Sequence, residues 1–278
     1  MQTLGLRIVN IKFATGEWQR SARLFFLFWE KIMPVGSYYK EHSFLEKPEI
    51  AAPLWRYMSI SKFIAMIVNS GIYMSRLDLL GDKYEGWVPN LPYSGGFFKK
   101  HFDDRDRELR EISPKERKCY YVSCWHSNEE QSDAMWKLYT KGNEGVAIRT
   151  TTRSLHSSLK DTPENLGHYK VIYSNSDREP THGGSMLRAC LTKRLPFEHE
   201  KETRIVWYNE KKPSNSRRKI SMKTDGFYVK CDLETLIEQI FIAPSEKPWL
   251  APLVEDLLKK YRIKAKVIQS GLNKEPPV

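Results

Sequence analysis

Residues 54–77 read LWRYMSISKFIAMIVNSGIYMSRL, and this stretch decides the fold. Residues 54–57 have the character of a short strand, and Ser59 is a favourable helix N-cap. The apolar residues that follow recur at helical spacing, at Ile60, Phe63, Ile64, Ile67 and Val68. Gly71 is expected to end this helix, and residues 72–77 alternate like a second strand. The stretch therefore predicts a strand, a capped helix and a strand in immediate succession.

Strand and helix patterns continue from this stretch to the end of the chain. Further strands are predicted at residues 119–125, 145–150, 168–173, 203–208 and 227–231, and helices at 129–139 and 185–194. The C-terminal part alternates helix and strand, over residues 233–239, 240–243, 249–261 and 264–268. Because strands outnumber helices early and alternate with them late, the predicted fold class is α+β, a single domain built on one mixed sheet.

The first 50 residues have a different character from the rest. A helix with a Phe/Leu/Trp face is predicted at residues 20–31, and Pro34, Gly36 and Pro48 then interrupt the pattern. We therefore interpret residues 1–50 as an N-terminal helical extension and residues 51–278 as the main domain.

The composition is typical of a globular protein from a reducing compartment. Hydrophobic residues make up 40% of the chain, and its four cysteines are too few for a disulfide framework in 278 residues. The longest apolar run near the N-terminus, Leu24–Trp29, has six residues, whereas a spanning helix needs about 20. We therefore expect a cytoplasmic protein with no membrane partner.

The net charge of +11 suggests an anionic partner. Such an excess attracts polyanions and strengthens contacts with phosphate, which favours nucleic acid. The charges are nevertheless spread along the chain, in small clusters at residues 99–100, 211–212, 217–219 and 259–260. A scattered excess also serves solubility, so both interpretations stay open. The sequence gives no indication of oligomeric state.

Several common catalytic signatures are missing from the sequence. It contains no P-loop, no glycine-rich dinucleotide fingerprint and no Gly-x-Ser-x-Gly elbow. His199-Glu200 begins like a zinc-protease motif, but Thr203 stands where the second histidine is needed. We therefore predict no bound metal, and no P-loop NTPase, Rossmann dehydrogenase or helical zincin.

Two candidate sites lie in the first half of the main domain. Arg56, between Trp55 and Tyr57 on the first strand, has the planar guanidinium that suits a pyrophosphate or carboxylate. An exposed arginine on an edge strand gives the same pattern. The turn Gly81–Gly86 brackets two carboxylates and Tyr84 between glycines, and it is either a site or a connector.

Two further candidates lie in the second half. Trp125, after Ser123, and Trp136 are candidates for a stacking wall around a flat ring, with core packing as the alternative. In an extended segment Glu198, Glu200 and Glu202 face one side, where they repel one another unless cations or a ligand compensate. The nearby Arg204 is one such cation, and a solvated charged edge is the alternative interpretation.

Five separated motifs resemble a bacterial family, the domain of unknown function number 2971. The resemblance covers roughly residues 54 to 272, and the family name conveys no activity. The motifs are Leu54-Trp-Arg-Tyr-x-Ser, Gly81-Asp-x-Tyr-Glu-Gly, Ser123-Cys-Trp, Met135-Trp-x-x-Tyr-x-x-x-x-Glu-Gly-Val and Phe197-x-x-Glu-x-Glu-x-Arg.

A second resemblance is to ADP-ribosyltransferases of the Arg-Ser-Glu type. It implies that Arg56 binds NAD, that Ser123 positions its ribose, that Glu202 stabilises positive charge on the sugar as nicotinamide leaves, and that Glu200 orients the acceptor. The serine motif departs from the family pattern, since it reads Ser-Cys-Trp instead of Ser-Thr-Ser. The NAD-binding residues implied are Arg56, Tyr57, Tyr73, Tyr84, Trp125 and Trp136.

This resemblance implies an NAD-dependent transferase that modifies a nucleic acid or a protein, as a bacterial toxin or anti-phage defence effector. One alternative is a metal-dependent nuclease, in which Mg²⁺ would be shared by Asp82, Glu85, Glu200 and Glu202. The other is a non-catalytic nucleic-acid-binding module of a defence system, in which the positive charge alone would serve binding.

Overall fold

The computed structural model describes residues 45–88, 99–140, 144–175, 185–209, 221, 223–244, 247–274 and 276. Most of the predicted N-terminal extension, residues 1–44, lies outside these ranges, so the division after residue 50 stays a prediction. The helices are α1 (Ile60–Asn69), α2 (Lys99–Glu116), α3 (Asp133–Tyr139), α4 (Thr152–Ser158), α5 (Met186–Leu191), α6 (Leu233–Leu236) and α7 (Leu250–Lys260). The strands are β1 (Pro53–Ser59), β2 (Gly71–Arg76), β3 (Tyr120–Ser127), β4 (Gly145–Thr151), β5 (Gly167–Lys170), β6 (Ile172–Ser174), β7 (Thr192–Arg194), β8 (Glu202–Tyr208), β9 (Gly226–Lys230), β10 (Gln239–Ile242) and β11 (Lys266–Gln269).

The predicted mixed sheet is confirmed. Its longest path runs β11-β10-β4-β1-β3-β2-β9, while β8 pairs with β3 and β5 pairs with β8. The neighbours are antiparallel except for β10 and β11, which are parallel. A separate two-stranded ribbon joins β6 and β7. An α+β domain with one dominant sheet is the result.

The sheet forks at β3. One edge of β3 is paired with β8 from Tyr120 to His126. A strand has only two edges, so β1 and β2 share the other one. There β1 pairs only near the C-terminal end of β3, at His126 and Ser127, and β2 pairs only at Tyr121 and Val122. Between them, residues 123–125 have no strand partner on that edge, and we call this gap the fork.

The two faces of the sheet carry different cores. Helices α1, α4, α6 and α7 pack on the face that presents Leu54, Met58 and Trp125. Trp55 and Tyr57 point to the opposite face, as strand alternation requires, and pack there with Trp136 of α3. Full burial of one such large apolar side chain contributes about 1.5–3 kcal/mol.

The structure confirms the strand–helix–strand prediction for residues 54–77 and corrects its end. The hydroxyl of Ser59 accepts a hydrogen bond from the Lys62 amide, as expected of an N-cap. Gly71, however, does not end the helix but begins β2. Ser70 takes the left-handed position instead, with φ 46°. Gly71 is needed for close approach, because a Cβ there would lie 2.4 Å from the Val229 carbonyl oxygen.

Two secondary-structure predictions between residues 185 and 202 were wrong. The helix expected at residues 185–194 ends at Leu191, and Thr192–Arg194 forms a strand because it pairs with β6. The extended run expected over residues 198–202 is a 3₁₀ helix, Leu195–Glu200, with Pro196 in its first turn. Lys201 then turns left-handed, with φ 39°. Consequently Glu198 is exposed, whereas Glu200 and Glu202 are buried.

Helix α4 is tied to the sheet by a histidine pair. The Nε2 atom of His156 lies 2.9 Å from Nδ1 of His168, and Nε2 of His168 lies 3.0 Å from the Thr203 hydroxyl. Burial, and then the neighbouring His156, lower the pKa of His168 from 6.5 to about 3. His168 is therefore neutral in the folded protein at neutral pH.

No helix within the described ranges is long and apolar enough to cross a membrane.

Stability should therefore fall as the pH drops from about 6.5 towards 3. The unfolded chain binds a proton at His168 in that range and the folded chain does not, so acid favours unfolding. Melting temperatures measured from pH 7 to pH 4 should fall less steeply for His168→Gln than for the wild type. His199→Gln, at an exposed histidine, is the control and should follow the wild type. Parallel curves for all three proteins would contradict this assignment.

Candidate functional site

Three carboxylates and two cations are buried together beside β8. We call Glu85, Lys193, Glu200, Glu202 and Arg204 the ion cluster. The Lys193 ammonium lies 2.9 Å from Glu200, 3.0 Å from Glu202 and 3.5 Å from Glu85. None of the five side chains is more than 7% exposed. Buried charges of this kind are costly unless they are paired and hydrogen-bonded.

Arg204 is the centre of the cluster and is wholly buried. Its Nε atom donates to Glu202 Oε1 at 2.6 Å and one terminal nitrogen donates to Oε2 at 3.1 Å, which makes the pair bidentate. That same nitrogen forms an ion pair with Glu85 at 2.7 Å. The other terminal nitrogen donates to the Cys190 carbonyl at 2.5 Å. The guanidinium thus joins β8, α5 and the turn that carries Glu85.

The cluster keeps Glu202 ionised. Burial alone would raise the pKa of Glu202, but Arg204 and then Lys193 outweigh it and lower the pKa to about 2. Glu85 differs, because burial together with the charge of Glu202 raises its pKa in spite of Arg204 and Lys193. With all five groups charged, three carboxylates face two cations, so one negative charge is in excess. A fixed negative charge in a water-poor site can stabilise positive charge on a reacting group.

The turn Gly81–Gly86 is more than a connector, since it delivers Glu85 to the cluster. Asp82 anchors it by accepting two hydrogen bonds from Arg194, at 2.9 and 3.1 Å. Gly86 has φ 69°, and a Cβ there would lie 2.7 Å from Leu77. The left-handed backbone and the close packing both require glycine at this position.

Two tyrosine hydroxyls and one histidine imidazole surround Glu200 and Glu202, the two carboxylates predicted to be catalytic. Tyr139 donates to Glu200 at 2.7 Å, and the Glu202 amide donates to the Tyr173 hydroxyl at 2.7 Å. His126 Nδ1 lies 2.6 Å from the Glu200 carbonyl oxygen. A carbonyl only accepts, so Nδ1 carries the proton. Nε2 of His126 is buried and has no partner within the described residues.

Arg56 lies in the fork. One terminal nitrogen contacts the Ser123 hydroxyl and the other donates to the Tyr73 carbonyl at 3.1 Å. The guanidinium also lies over the Trp125 ring, 5.3 Å from its centroid. The buried Nε1–H of Trp125 has no hydrogen-bond partner in the part of the chain that the structure describes. The fork therefore contains a guanidinium bonded to neutral oxygens and lies beside a buried tryptophan with an unpartnered indole N–H.

Cys124 connects the fork to the ion cluster. Burial, followed by the charge of Glu202, raises the pKa of the Cys124 thiol, so the thiol keeps its proton and donates to the Glu202 carboxylate. Ser123 and Cys124 are adjacent on β3 and point to opposite faces. Arg56 and Ser123 thus lie on the sheet face opposite Glu202 and do not share a surface with it.

The remaining predicted residues are more scattered. Tyr57 packs edge-on against Trp136 with ring centroids 4.9 Å apart, on the face opposite Trp125. The two tryptophans therefore do not form one stacking wall. Tyr73 packs against Tyr228 near the fork, at 5.2 Å. Tyr84 is 40% exposed and lies beneath the Arg194 guanidinium, at 4.3 Å.

Sequence reasoning missed Lys193, which contacts all three carboxylates of the cluster. A signal existed, since closely spaced glutamates require more cations than Arg204 alone. The wrong helix prediction over residues 185–194 concealed it, because Lys193 lies on β7. Within the described ranges, no group of three or more His, Cys, Asp or Glu side chains could hold a metal ion.

Comparison with known proteins gives one family match. The model of a family described as "Protein of unknown function (DUF2971)" matches residues 135–225, which confirms the resemblance to family number 2971 over that part. No curated protein matches the sequence. Among solved structures, the chain is similar to Thermus sp. 2.9 DarT in complex with ADP-ribosylated ssDNA, at 11% identity and a TM-score of 0.36, over 81% of this chain and 96% of that one.

Removing the central guanidinium should be strongly destabilising. Arg204→Met leaves Glu202 and Glu85 buried without their main partner, and breaking a buried ion pair in this way costs about 3–5 kcal/mol. The free energy of unfolding in urea measures it. Arg153→Met, at an exposed arginine, should change stability by less than about 0.5 kcal/mol. A similar small loss for Arg204→Met would show that the cluster is not a stabilising centre.

Proposed function

We propose that the protein is an NAD-dependent ADP-ribosyltransferase, with the fork as its NAD-binding region and Glu202 as its catalytic carboxylate. The observation that carries the proposal is the contact of Arg56 with Ser123 in the fork, beside the strand that bears the ionised Glu202. Because Glu202 faces the other side of the sheet, NAD would have to pass through the gap at residues 123–125 to reach both. Arginine, serine and glutamate thus come from the neighbouring strands β1, β3 and β8.

Donors in the fork suit the acceptor-rich phosphates and riboses of NAD. The Arg56 guanidinium now donates to neutral oxygens, those of Ser123 and Tyr73. Exchanging them for phosphate oxygens would add the attraction between two opposite full charges and would allow the bidentate contact that guanidinium and phosphate geometries favour. The orphaned Trp125 Nε1–H would gain an acceptor at the same time.

Glu202 supplies the electrostatics of the proposed reaction. Bound NAD offers an ADP-ribosyl group whose bond to nicotinamide breaks as positive charge builds on the ribose, and nicotinamide leaves with the bonding electron pair. An ionised carboxylate next to that sugar stabilises the charge. The pKa of about 2 keeps Glu202 ionised at physiological pH.

Glu200 would serve the acceptor. It lies two residues before Glu202, and its carboxylate is bound by Tyr139 and Lys193 at 2.7 and 2.9 Å. The acceptor's nucleophilic atom forms the new bond to the ribose and releases a proton, for which this carboxylate is the base. His126 holds the Glu200 backbone and acts as a positioning residue.

Turnover requires the cluster to open. Glu202 is only 4% exposed, so Lys193 must move away before a ribose can reach the carboxylate. Lys193 bridges Glu200 and Glu202 and is flanked by the ring of Phe197 at 5.3 Å. Its withdrawal would uncover both carboxylates together. We therefore regard the structure as the closed state of the site.

The charges favour a transferase over the metal-dependent nuclease. Lys193 lies within 3.5 Å of Glu85, Glu200 and Glu202, which is where a shared Mg²⁺ would sit. Asp82 is engaged by Arg194. A cation supplied by the chain already neutralises the carboxylates that would coordinate the metal.

The test follows labelled NAD in the presence of EDTA, with single-stranded DNA, RNA or a bacterial lysate as the acceptor. Nicotinamide release and labelled macromolecules are both measured. Glu202→Gln should lower both by at least about 100-fold, since one lost electrostatic contact costs 10²–10³ in rate. Glu200→Gln should lower transfer but leave NAD hydrolysis. Glu198→Gln, exposed on the same 3₁₀ helix, is the matched control and should change neither.

Melting temperatures accompany every variant, so that loss of fold is separated from loss of chemistry. An inactive wild type with all acceptors would reject the proposal, as would an equal loss in Glu198→Gln. Activity that requires Mg²⁺ and degrades nucleic acid would favour the nuclease. Binding without turnover, unaffected by Glu202→Gln, would favour a non-catalytic module.

The proposal includes a cytoplasmic role as a toxin or anti-phage effector. Modification of cellular nucleic acid or protein would arrest growth, and expression in bacteria tests this directly. The wild type should stop growth, whereas Glu202→Gln at the same protein level should not.

A further inference from the structure

The corner between α7 and β11 carries the densest positive charge of the described chain. Residues 259–266 read KKYRIKAK, with five cations and no acidic residue. All five cations are exposed, and so is the Tyr261 ring, at 38%. Basic side chains interleaved with an exposed aromatic ring are typical of surfaces that follow a nucleic-acid backbone.

A cleft opens at this corner. Its volume is about 430 Å³, within the roughly 300–1,000 Å³ of small-molecule sites. Leu258, Ile263, Ala265 and Val267 form an apolar floor, and three cations stand around it. Glu255 is the only acidic residue among the eight that line the cleft. An apolar floor with a cationic rim fits a flat ring that carries anionic groups.

The three cations of the rim are not paired with any carboxylate in the part of the chain that the structure describes. No ion pair joins the side chains of Lys259, Arg262 or Lys264 to any described residue, although Lys193, Arg194 and Arg204 elsewhere are paired. The Lys264 amide does donate to Glu234 at 2.6 Å, which fixes the backbone. The rim therefore carries positive side chains without carboxylate partners among the described residues, on a backbone that the Glu234 hydrogen bond holds in place.

Arg262 occupies a position that suits glycine. It follows Tyr261, the C-cap of α7, and its φ is 58°, in the left-handed region. A side chain with a Cβ is unfavourable there, and glycine is the usual choice. An arginine kept in an unfavourable backbone conformation at the edge of a cleft is an outlier that points to a function for its side chain.

We propose that the α7–β11 corner binds single-stranded nucleic acid. Lys259, Arg262 and Lys264 contact successive phosphates, and one base lies on the apolar floor of the cleft. Tyr261 supplies a stacking face for a neighbouring base. Among the described strands β11 is the last of its half of the sheet, which leaves the corner open to an extended strand.

This surface deepens the proposed function by naming the acceptor class. Strands β10 and β4 lie between β11 and β1 in the sheet. The distance from β11 to β1 is therefore three strand spacings, or about 14 Å. A strand held at the corner is thus within a few nucleotides of the half of the sheet that bears Arg56. This inference rests on the proposed function, but the two are tested separately. Nucleic-acid binding is measured without NAD, so a loss of binding and a lack of transferase activity are distinguishable results.

The experiment measures the affinity of the full chain for a fluorescent single-stranded DNA of mixed sequence, at several salt concentrations and without NAD. Each phosphate contact on a single strand contributes about 0.7 to the slope of log K against log salt. The triple variant Lys259→Gln, Arg262→Gly, Lys264→Gln should therefore lose about 2 units of slope and at least about tenfold in affinity at low salt.

Two controls make the outcome decisive. Arg262→Gly alone relieves the left-handed strain, so it should weaken binding while its melting temperature stays equal to or above that of the wild type. The matched triple Lys62→Gln, Arg153→Gln, Lys160→Gln removes three exposed cations elsewhere and should keep most of the slope. Equal losses in the two triples would overturn the proposal. So would a wild type that binds anionic phosphatidylserine vesicles but not DNA.

Discussion

The burial of Arg204 between Glu202 and Glu85 is the interaction on which the rest of the site depends. A guanidinium with no exposed surface needs carboxylates at hydrogen-bonding distance, and the structure supplies two, at 2.6 and 2.7 Å. The same pairing lowers the pKa of Glu202 and draws the Gly81–Gly86 turn against β8. A buried ion pair adds little net stability over an apolar core, but it fixes one arrangement because a broken pair is so costly. The cluster thereby sets the geometry of both carboxylates proposed for the chemistry.

The fork in the sheet is the second constraint. Because β8 occupies one whole edge of β3, strands β1 and β2 must divide the other edge between them. Arg56 lies in the gap that results, where it contacts the Ser123 hydroxyl and donates to the backbone carbonyl of Tyr73. A polar side chain at such a gap can exchange its protein partners for a ligand without disturbing a strand pair. The same sheet therefore combines a rigid half, at β3 and β8, with an opening beside it.

Much of the architecture is predictable because it rests on local signals. Alternation and capping locate β1, α1, β2, β4 and β8 from the sequence alone. The errors arise where a local pattern is ambiguous or tertiary contacts decide. Ser70 takes the helix-ending position beside a glycine that close packing holds in β2, and Pro196 starts a 3₁₀ helix where alternating glutamates suggested a strand. In the candidate site, the close spacing of Glu200 and Glu202 in the sequence predicts that their carboxylates repel one another and need neighbouring cations. Lys193 was not predictable, because its role depends on a strand of three residues that only pairing with β6 defines.

The ion cluster also has a consequence for how the chain reaches its folded state. Glu85 and Arg204 are 119 residues apart in the chain, and β8 pairs with a strand some 80 residues before it. Contacts of such long range form slowly, because the chain loses conformational entropy on closing the intervening loop before the contact can stabilise it. During synthesis the carboxylate of Glu85 remains hydrated until the segment around residue 204 has left the ribosome. The ion cluster can therefore be completed only after β8 has been made, and a nascent or truncated chain that ends before β8 leaves Glu85 without the guanidinium that it pairs with in the folded protein.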